Sequence, residues 1–465
     1  MNELWTTGHI VELNEMLKGR ETRAALQRQI LVFCPASSLI CFTLNIAGPV
    51  KVSALISEAF YAGCAAIEEA LKMAGLPAES RIEEYPYGYE AYYVISEEEQ
   101  SAEDIKRLMC IIEEEHELGR LFDIDVIRSD GSKVSRTELG MEERRCLICE
   151  KAAAICARAR AHTVGELQSR TAEMITDYLR ENISLETVSR MSYISMMNEV
   201  AVTPKPGLVD LANNGSHRDM TPDLFEKSAA AIKDYFGKCF ECGRRLADTA
   251  PEEIITHIRP LGVEAEKKMY ETTGGVNTHK GAIFSLGIIC AAWGCAGGFD
   301  VKKIMETSGR IASPIADEKG LRGIAGGART QAASGFESVE KLSLPAYKLA
   351  TLLGFDVNTA AVYALIKLIA GITDTNMIAR GGHETAAEMK ASADDVAKHF
   401  ETGMKEMRRP GGGDMDYIIT RTGEDFMKDV SALDEAFIAK NVSPGGSADL
   451  LMITLFFIMI EGLGK

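Results

Sequence analysis

The sequence predicts an α+β N-terminal domain, built on a ferredoxin-like βαββαβ sheet, followed by an all-α C-terminal domain. Strand-like and helix-like segments alternate over about the first 130 residues, and helical periodicity dominates the chain from about residue 150 onward. The 465 residues are enough for more than one hydrophobic core. We therefore expect domains at residues 1–172 and 173–465.

The N-terminal elements follow from apolar patterning and from turn and capping residues. The first strand is closed by Gly48-Pro49, and the second helix opens with a capping-box pattern at Ser101. In chain order we predict a strand over 38–46, a helix over 52–74, strands over 81–85 and 90–95, a helix over 101–117 and a strand over 121–127. The helices are expected on one face of the sheet.

The C-terminal elements follow from the helical spacing of apolar residues. The predicted helices cover 164–182, 185–202, 222–246, 251–270, 276–296, 301–312, 347–353, 359–369 and 386–407. Two uncharged stretches are not interpreted as membrane spans: 29–50 is predicted as loop plus strand, and 281–299 as a buried core helix. The apolar run 450–460 is too short to cross a bilayer.

Composition excludes several classes of function. The net charge of −17 argues against sequence-independent nucleic-acid binding and against anionic membrane surfaces. Eleven cysteines, an odd number, and the absence of an export signal favour a reducing cytoplasm without disulfides. The sequence contains no P-loop, Rossmann, zinc-protease or nucleophile-elbow motif. We expect a cytoplasmic protein without nucleic-acid or membrane partners.

Two aspartates stand out in the last predicted strand of the first domain. Asp123 and Asp125 are two residues apart, so on a strand their carboxylates share one face. Paired carboxylates suit Mg²⁺, which binds one or two of them together with substrate phosphates. The alternative is a solvated edge with alternating polar residues, and the spacing alone leaves both open.

Three segments of this domain resemble holo-citrate lyase synthase: SLICFTLNIAGPVK at 38–51, HELGRLFDIDV at 116–126, and RRCLICEKAAAICARARAH at 144–162. The resemblance implies transfer of phosphoribosyl-dephospho-CoA to a serine of the citrate lyase acyl carrier protein (the gamma subunit), with release of pyrophosphate. Asp123 and Asp125 would then be Mg²⁺ ligands. The candidates for the triphosphate or the serine hydroxyl are Arg23, Lys51, His116 and Arg120.

A cysteine cluster follows these motifs. Cys146, Cys149, Cys156 and His162 have the ligand types of a structural Zn²⁺ site, although their spacing is not that of a standard finger. The alternative is a set of buried, reduced thiols. Cys239 and Cys242 repeat the C-x-x-C spacing within a helical pattern, and we give them less weight.

Five glycine-rich polar blocks interrupt the predicted helices of the second domain. They span residues 199–220, 272–281, 320–336, 373–382 and 441–449. Glycine lets backbone N–H groups approach phosphate oxygens, and helix N-termini favour anions. A helix predicted to begin at Val276 would make 272–277 an anion-binding nest. A single block would be a turn between helices, but five together predict a phosphate-handling site.

The same blocks resemble triphosphoribosyl-dephospho-CoA synthase over about residues 185–460. This family implies an all-α enzyme that uses ATP and dephospho-CoA and releases adenine. Two departures are Thr330-Gln331, where the family more often has Gly-Glu, and Val202, usually a small or hydroxyl residue.

That chemistry requires a proton for adenine, removal of a hydroxyl proton, stabilisation of an oxocarbenium-like state and a held triphosphate with Mg²⁺. The carboxylate candidates are Glu199, Asp210, Asp219, Asp374 and Asp449. The proton-transfer candidates are His217 and His279. The phosphate- and nucleotide-binding candidates are Lys205, Asn214, Gly274, Gly275, Asn277, Lys280, Arg329 and Arg380.

Together the two resemblances predict a bifunctional enzyme that makes and installs the citrate lyase prosthetic group. One alternative is a non-catalytic assembly subunit that binds the carrier protein, although the acid and base positions are populated. A second alternative is the equivalent pair of activities for malonate decarboxylase, which uses the same prosthetic group.

Overall fold

A computed structural model describes residues 10–149, 151–316, 327–407 and 415–463. The chain divides between Asn182 and Ile183 into two compact units, called unit 1 and unit 2 below. The predicted boundary between residues 172 and 173 lies inside the last helix of unit 1. Part of the third glycine-rich block, 320–326, lies outside the described residues.

Unit 1 is built on a four-stranded sheet in the order β2-β3-β1-β4, with every neighbouring pair antiparallel. Its elements are α1 Leu13–Phe33, β1 Ser37–Leu44, α2 Ala54–Met73, β2 Glu79–Tyr85, β3 Gly88–Ser96, α3 Ala102–Glu115, β4 Phe122–Ile127, α4 Ala153–Ala159 and α5 Val164–Asn182. The predicted α+β class and the βαββαβ order are confirmed.

Helix α2 packs tightly on one face of the sheet. The rings of Phe42 in β1 and Phe60 in α2 stack at 5.1 Å. A Cβ at Gly63 would lie 2.3 Å from the Phe42 ring, so only glycine lets α2 approach this closely. Gly63 therefore sets the distance between α2 and this face of the sheet.

Helix α1 corrects two predictions. Leu26 and Ile30 of α1 pack on a core cluster that contains Leu39 and Tyr92. The side chain of Leu39 points to the face of the sheet opposite the one that α2 covers, because side chains alternate between the two faces along β1. The helices are therefore not all on one face, and residues 29–33 are helical rather than loop. The apolar residues of α1 do not lie on a single face of the helix, since Val32 and Phe33 are exposed. Helical spacing of apolar residues therefore did not predict this helix.

The described part of unit 2 is all-helical, as predicted. Its helices are α6 Leu185–Ala201, α7 Pro222–Arg245, α8 Pro251–Thr273, α9 Lys280–Ala296, α10 Val301–Ala316, α11 Ala328–Ala333, α12 Leu344–Leu352, α13 Val357–Gly371, α14 Thr375–Met407, α15 Met415–Ala439 and α16 Gly445–Leu463. The prediction omitted α11, α15 and α16. It also began α14 late, because Gly382 (φ +77°) kinks that helix.

Helix α9 is the buried core helix expected over 281–299. It packs against α7 through glycines: a Cβ at Gly294 would lie 2.0 Å from the carbonyl oxygen of Phe240, and one at Gly243 would lie 1.9 Å from that of Ala291. These contacts explain the glycine content of an otherwise apolar helix. Trp293 of α9 is fully buried.

Helix α16 has the length and apolar composition that a membrane span needs, with 19 residues at a mean hydropathy of 1.7. In the structure 61% of its most apolar window is buried inside the protein. Two consecutive helix pairs are long and apolar enough for a span only when each pair is counted as one helix. The pair α9–α10 is bent by 115° and the pair α13–α14 by 58°. The predicted short run 450–460 is therefore part of a longer helix.

Candidate active sites

The two aspartates of unit 1 lie side by side on β4. Asp123 is paired with Thr43 and Asp125 with Cys41 across the antiparallel ladder, so the two carboxylates share one face of the sheet. The residues between and beside them, Phe122, Ile124 and Val126, are buried, as the alternation predicts.

Each aspartate has a basic partner. Arg144 donates to Oδ1 of Asp123 at 3.3 Å, and Thr43 donates to its Oδ2 at 3.5 Å. Lys133 donates to Asp125. Partial burial and the neighbouring Asp125 carboxylate raise the pKa of Asp123, while Arg144 opposes this shift. The carboxylates of the two aspartates and the basic groups of Arg144 and Lys133 therefore lie together beside β4.

A cavity of about 470 Å³ lies beside this pair. Arg144 lines it, together with Arg120, Arg136 and Arg145 and several glutamates. Arg136 is held by Glu113 at 2.8 Å, which fixes its guanidinium in the wall. Clustered arginines suit a polyphosphate, because their planar groups donate paired hydrogen bonds.

The other predicted residues of this site make local contacts. His116 packs on Phe122, its Nδ1 accepts from the Leu118 amide, and burial lowers its pKa. Lys51 donates to the Ile46 carbonyl, and burial, assisted by Arg20, lowers its pKa. Arg23 donates to the buried Glu90 at 2.7 Å. These contacts support local structure, and only Arg120 of the predicted set lines the arginine cavity.

The four residues of the cysteine cluster lie close together in the structure. The Sγ atoms of Cys146, Cys149 and Cys156 and a ring nitrogen of His162 all lie within 4.8 Å of one another. The buried Nε2 of His162 has no hydrogen-bond partner among the described residues. Three thiols and one imidazole are a donor set that Zn²⁺ prefers. This group could hold a metal, whereas Cys239 and Cys242 are buried in α7.

A cavity of about 410 Å³ lies in unit 2, where the described parts of all five glycine-rich blocks meet. Residues contributed by the five blocks, in order, include His217, Lys280, Gln331, Arg380 and Asp449. The N-terminal turns of α9, α14 and α16 line the same space. Three helix N-termini favour an anion there, because their first N–H groups lack partners within the helix.

The start of α9 corrects the predicted nest at 272–277. Gly274 and Gly275 have positive φ angles and end α8, and the Gly275 amide donates to the Tyr270 carbonyl. Asn277 then accepts from the Lys280 amide, and α9 begins at Lys280 rather than at Val276. The turn that faces the cavity is therefore 280–282, while Gly274 and Gly275 lie outside its lining.

Asp449 and Glu199 line this cavity, whereas Asp374 lies outside the lining but close enough for its charge to act on Asp449. Burial raises the pKa of Asp449 to about 8, and the charges of Glu199 and Asp374 add to the shift. A Cβ at Gly281 would lie 1.8 Å from Oδ2 of Asp449, so Gly281 makes the space that this carboxyl group occupies. Glu199 is paired with the buried Lys205 at 2.6 Å, and burial raises its pKa. Asp374 accepts from backbone amides at the starts of both α14 and α16.

Two histidines also line the cavity. His279 is buried, its Nδ1 bonds Ser228 at 2.9 Å, and burial lowers its pKa to about 3. His217 contacts Ser443 at 2.8 Å and Arg380 at 3.2 Å through Nε2. Burial, together with Arg380, lowers the pKa of His217. Burial therefore favours the neutral form of both imidazoles.

The remaining predicted residues lie outside the cavity lining. Asp210 accepts from the amides of Lys205, Ala212 and Asn213 and so shapes the first block. The others are exposed or partly exposed, and they are Asn214, Asp219 and Arg329.

Comparison with known proteins agrees with this division into two sites. The family model CitX, described as apo-citrate lyase phosphoribosyl-dephospho-CoA transferase, matches residues 11–178. The model CitG, described as ATP:dephospho-CoA triphosphoribosyl transferase, matches residues 185–316 and 321–465. A protein of Haemophilus influenzae named Protein CitXG is 33% identical to this chain, with 98% of each chain covered. The chain belongs to the bifunctional CitXG family.

Two further relatives fit the same assignment. Protein CitXG of Leuconostoc mesenteroides subsp. cremoris is 30% identical over 98% of each chain. The 2-(5''-triphosphoribosyl)-3'-dephosphocoenzyme-A synthase of Pectobacterium atrosepticum is 34% identical over 62% of this chain and 94% of its own. This chain is thus a bifunctional transferase for the citrate lyase prosthetic group, and the part that the CitG model matches uses ATP and dephospho-CoA as substrates. Both predicted resemblances are confirmed.

Sequence reasoning missed several residues of these sites. In the CitX part they are Thr43, Lys133, Arg136, Arg144 and Arg145. Arg144 and Arg145 carried a usable signal, because they open the segment 144–162 that resembles holo-citrate lyase synthase. Gly281 and Ser228 carried none, since their roles depend on contacts between distant segments.

Proposed function

We propose that the cavity of unit 2 is where ATP and dephospho-CoA react. The convergence of five polar loops and three helix N-termini on one space supports this assignment. A cavity of about 410 Å³ is within the range of small-molecule sites. The triphosphate lies against the N-terminal turns of α9, α14 and α16, with Lys280 and Arg380 as its charged partners.

In this proposal Asp449 is the acid that protonates the departing adenine. Its raised pKa keeps the carboxyl group protonated near neutral pH, as a proton donor requires. The bond between adenine and the ribose anomeric carbon breaks, and the dephospho-CoA hydroxyl oxygen bonds to that carbon. Glu199, beside Lys205, accepts the hydroxyl proton. The negative charge of Asp374 stabilises the oxocarbenium-like state.

For unit 1 we propose that the β4 aspartates and the arginine cavity form the transfer site. The hydroxyl oxygen of the acceptor serine of the citrate lyase acyl carrier protein (the gamma subunit) bonds to the phosphorus nearest the ribose. The bond from that phosphorus to the next phosphate breaks, pyrophosphate leaves, and the serine proton passes to water. Arg120, Arg144 and Arg145 bind the departing phosphates. Asp123 and Asp125, whose carboxylates share one face of β4, would hold Mg²⁺, which when bound neutralises charge that develops on the phosphates.

We further propose that Cys146, Cys149, Cys156 and His162 hold a structural Zn²⁺. The orphaned Nε2 of His162 and the converging thiols support this. Protein purified without chelators should contain about one Zn²⁺ per chain, because such sites are usually four-coordinate. A Cys149→Ser variant should lose it, whereas Cys34→Ser should not. Elemental analysis that finds no zinc in the parent protein would contradict the assignment.

A cytoplasmic location is part of this proposal. All eleven cysteines are free thiols in the structure, which suits a reducing compartment.

Arg380 tests the nucleotide site. It stands at the cavity beside His217 and Asn441, so Arg380→Ala should raise the KM for ATP about tenfold or more, as expected for a lost phosphate contact. Adenine release measured against ATP concentration gives this value. Arg421→Ala, an exposed arginine on α15, is the matched control. Equal KM values in the two variants would remove Arg380 from the site.

A further inference from the structure

The segment 144–162, called the basic segment below, inverts the charge of the chain around it. It carries five Lys and Arg residues and one acidic residue, in a protein with a net charge of −17. Its cations other than Arg144 are exposed, and they are Arg145, Lys151, Arg158 and Arg160. Such a local inversion creates a positive field that attracts and orients an acidic partner.

Two isoleucines are exposed among these cations. Ile155 of α4 is 59% exposed, and Ile148, between the first two cysteines, is 38% exposed. Apolar residues surrounded by arginine and lysine match the anatomy of a protein interface, which has an apolar centre and a polar rim. Among the described residues of the basic segment only Cys146 and Cys156 are buried. The two isoleucines are therefore not part of a hydrophobic core within this segment.

The basic segment borders the transfer site. Its first residue, Arg144, donates to Asp123, and the Arg144 carbonyl accepts from the Ala153 amide at the start of α4. The Cys146 amide donates to the Lys151 carbonyl, which closes the turn that carries Ile148. A protein bound on this surface therefore lies next to the carboxylates at which its serine must react.

We propose that the basic segment is the docking surface for the acceptor carrier protein, which binds it through an acidic face with an apolar centre. This inference rests on the proposed transfer site at Asp123. The cysteine cluster joins the two parts of this surface, because Cys146 and Cys149 of the turn lie within 4.8 Å of Cys156 in α4. Residues 146–162 of this surface contribute docking, whereas Arg144 and Arg145 at its start serve the chemical step.

Charge reversal tests the proposal in the full-length enzyme. The double variant Lys151→Glu/Arg158→Glu should raise the KM for the apo carrier protein about tenfold, with the effect on KM rather than on kcat. Adenine release serves as the folding control. Lys72→Glu, an exposed lysine on α2 across the sheet, should leave that KM unchanged. Equal KM values for the double variant and Lys72→Glu would overturn the proposal.

Two measurements keep the test decisive if the double variant loses zinc or folds poorly. In the parent enzyme, the KM for the carrier protein should rise several-fold between 50 and about 300 mM salt, because exposed charges are screened. Ile155→Ser should raise it as well, whereas Ile111→Ser on α3, 46% exposed in the parent, should not. A salt-independent KM together with a silent Ile155→Ser would also overturn the proposal.

Failure of the underlying site would look different. Asp123→Asn should abolish transfer at any carrier concentration. Full transfer by Asp123→Asn would refute the transfer site itself. If Asp123→Asn loses kcat but the charge-reversal variant keeps the parent KM for the carrier protein, only the docking surface is refuted.

Discussion

Gly281→Ala should disable adenine release while leaving the fold intact. The added Cβ would lie 1.8 Å from Oδ2 and 2.4 Å from Cγ of Asp449. Non-bonded contacts of this kind are favourable only near 3.5 Å, so the carboxyl group must move by roughly 1.5 Å. A displacement of about 1 Å at a reacting group can cost about 100-fold in rate, and we expect a loss of kcat of at least that size.

The stability of the variant separates this effect from unfolding. Alanine is favoured over glycine in a helix by about 1 kcal/mol, which offsets strain at the start of α9. Adenine release should therefore fall while the denaturation midpoint in urea changes little. Gly262→Ala in α8 is the matched control, because its Cβ would come no closer than 3.3 Å to Tyr235. Adenine release by Gly281→Ala within threefold of Gly262→Ala would refute the placement of Asp449.

Three further changes test other parts of the account. Because a raised pKa keeps Asp449 protonated up to about pH 8, kcat for adenine release should fall above that pH, and the residual activity of Asp449→Asn should lack this alkaline limb. Gly294→Ala should lower the free energy of unfolding of unit 2 by about 2 kcal/mol in urea titrations, since its Cβ would meet the Phe240 carbonyl at 2.0 Å. Arg144→Ala should slow pyrophosphate release about tenfold or more without changing adenine release, because Asp123 and the phosphates lose a charged donor.

Controls and contrary outcomes differ for these three. Gly165→Ala has open space at its Cβ and should not destabilise the protein. A pH profile identical in Asp449→Asn and the parent would exclude Asp449 as the acid. An Arg144→Ala variant with normal pyrophosphate release would leave Arg120 and Arg145 as the phosphate partners.

Local patterns in the sequence predicted most of the fold. Alternation on β4 placed Phe122 and Ile124 inside and the aspartates together, and helical spacing located α5 to its end residues. Helix α1 was missed because its apolar residues do not follow one stripe. The start of α9 was misplaced because Gly274 and Gly275 end α8 instead of beginning the next helix.

The sites were harder to predict than the fold. Five polar blocks in the all-α half predicted a phosphate-handling site, and the structure brings the described parts of these blocks to one cavity. The partners of each side chain depend on contacts over long sequence distances. Gly281 makes the space that Asp449 occupies, although the two residues are about 170 positions apart in the sequence. A contact over that distance cannot be predicted from the spacing of nearby residues.

The most direct test of the central claim uses full-length Asp123→Asn and Asp449→Asn variants, assayed for adenine release from ATP and for labelling of the apo carrier protein. Two independent sites predict that Asp123→Asn loses labelling alone and that Asp449→Asn loses adenine release alone. A mixture of the two variants should then convert ATP and dephospho-CoA into labelled carrier protein. Loss of both activities in either well-folded variant, or a mixture that fails to label the carrier protein, would contradict the account.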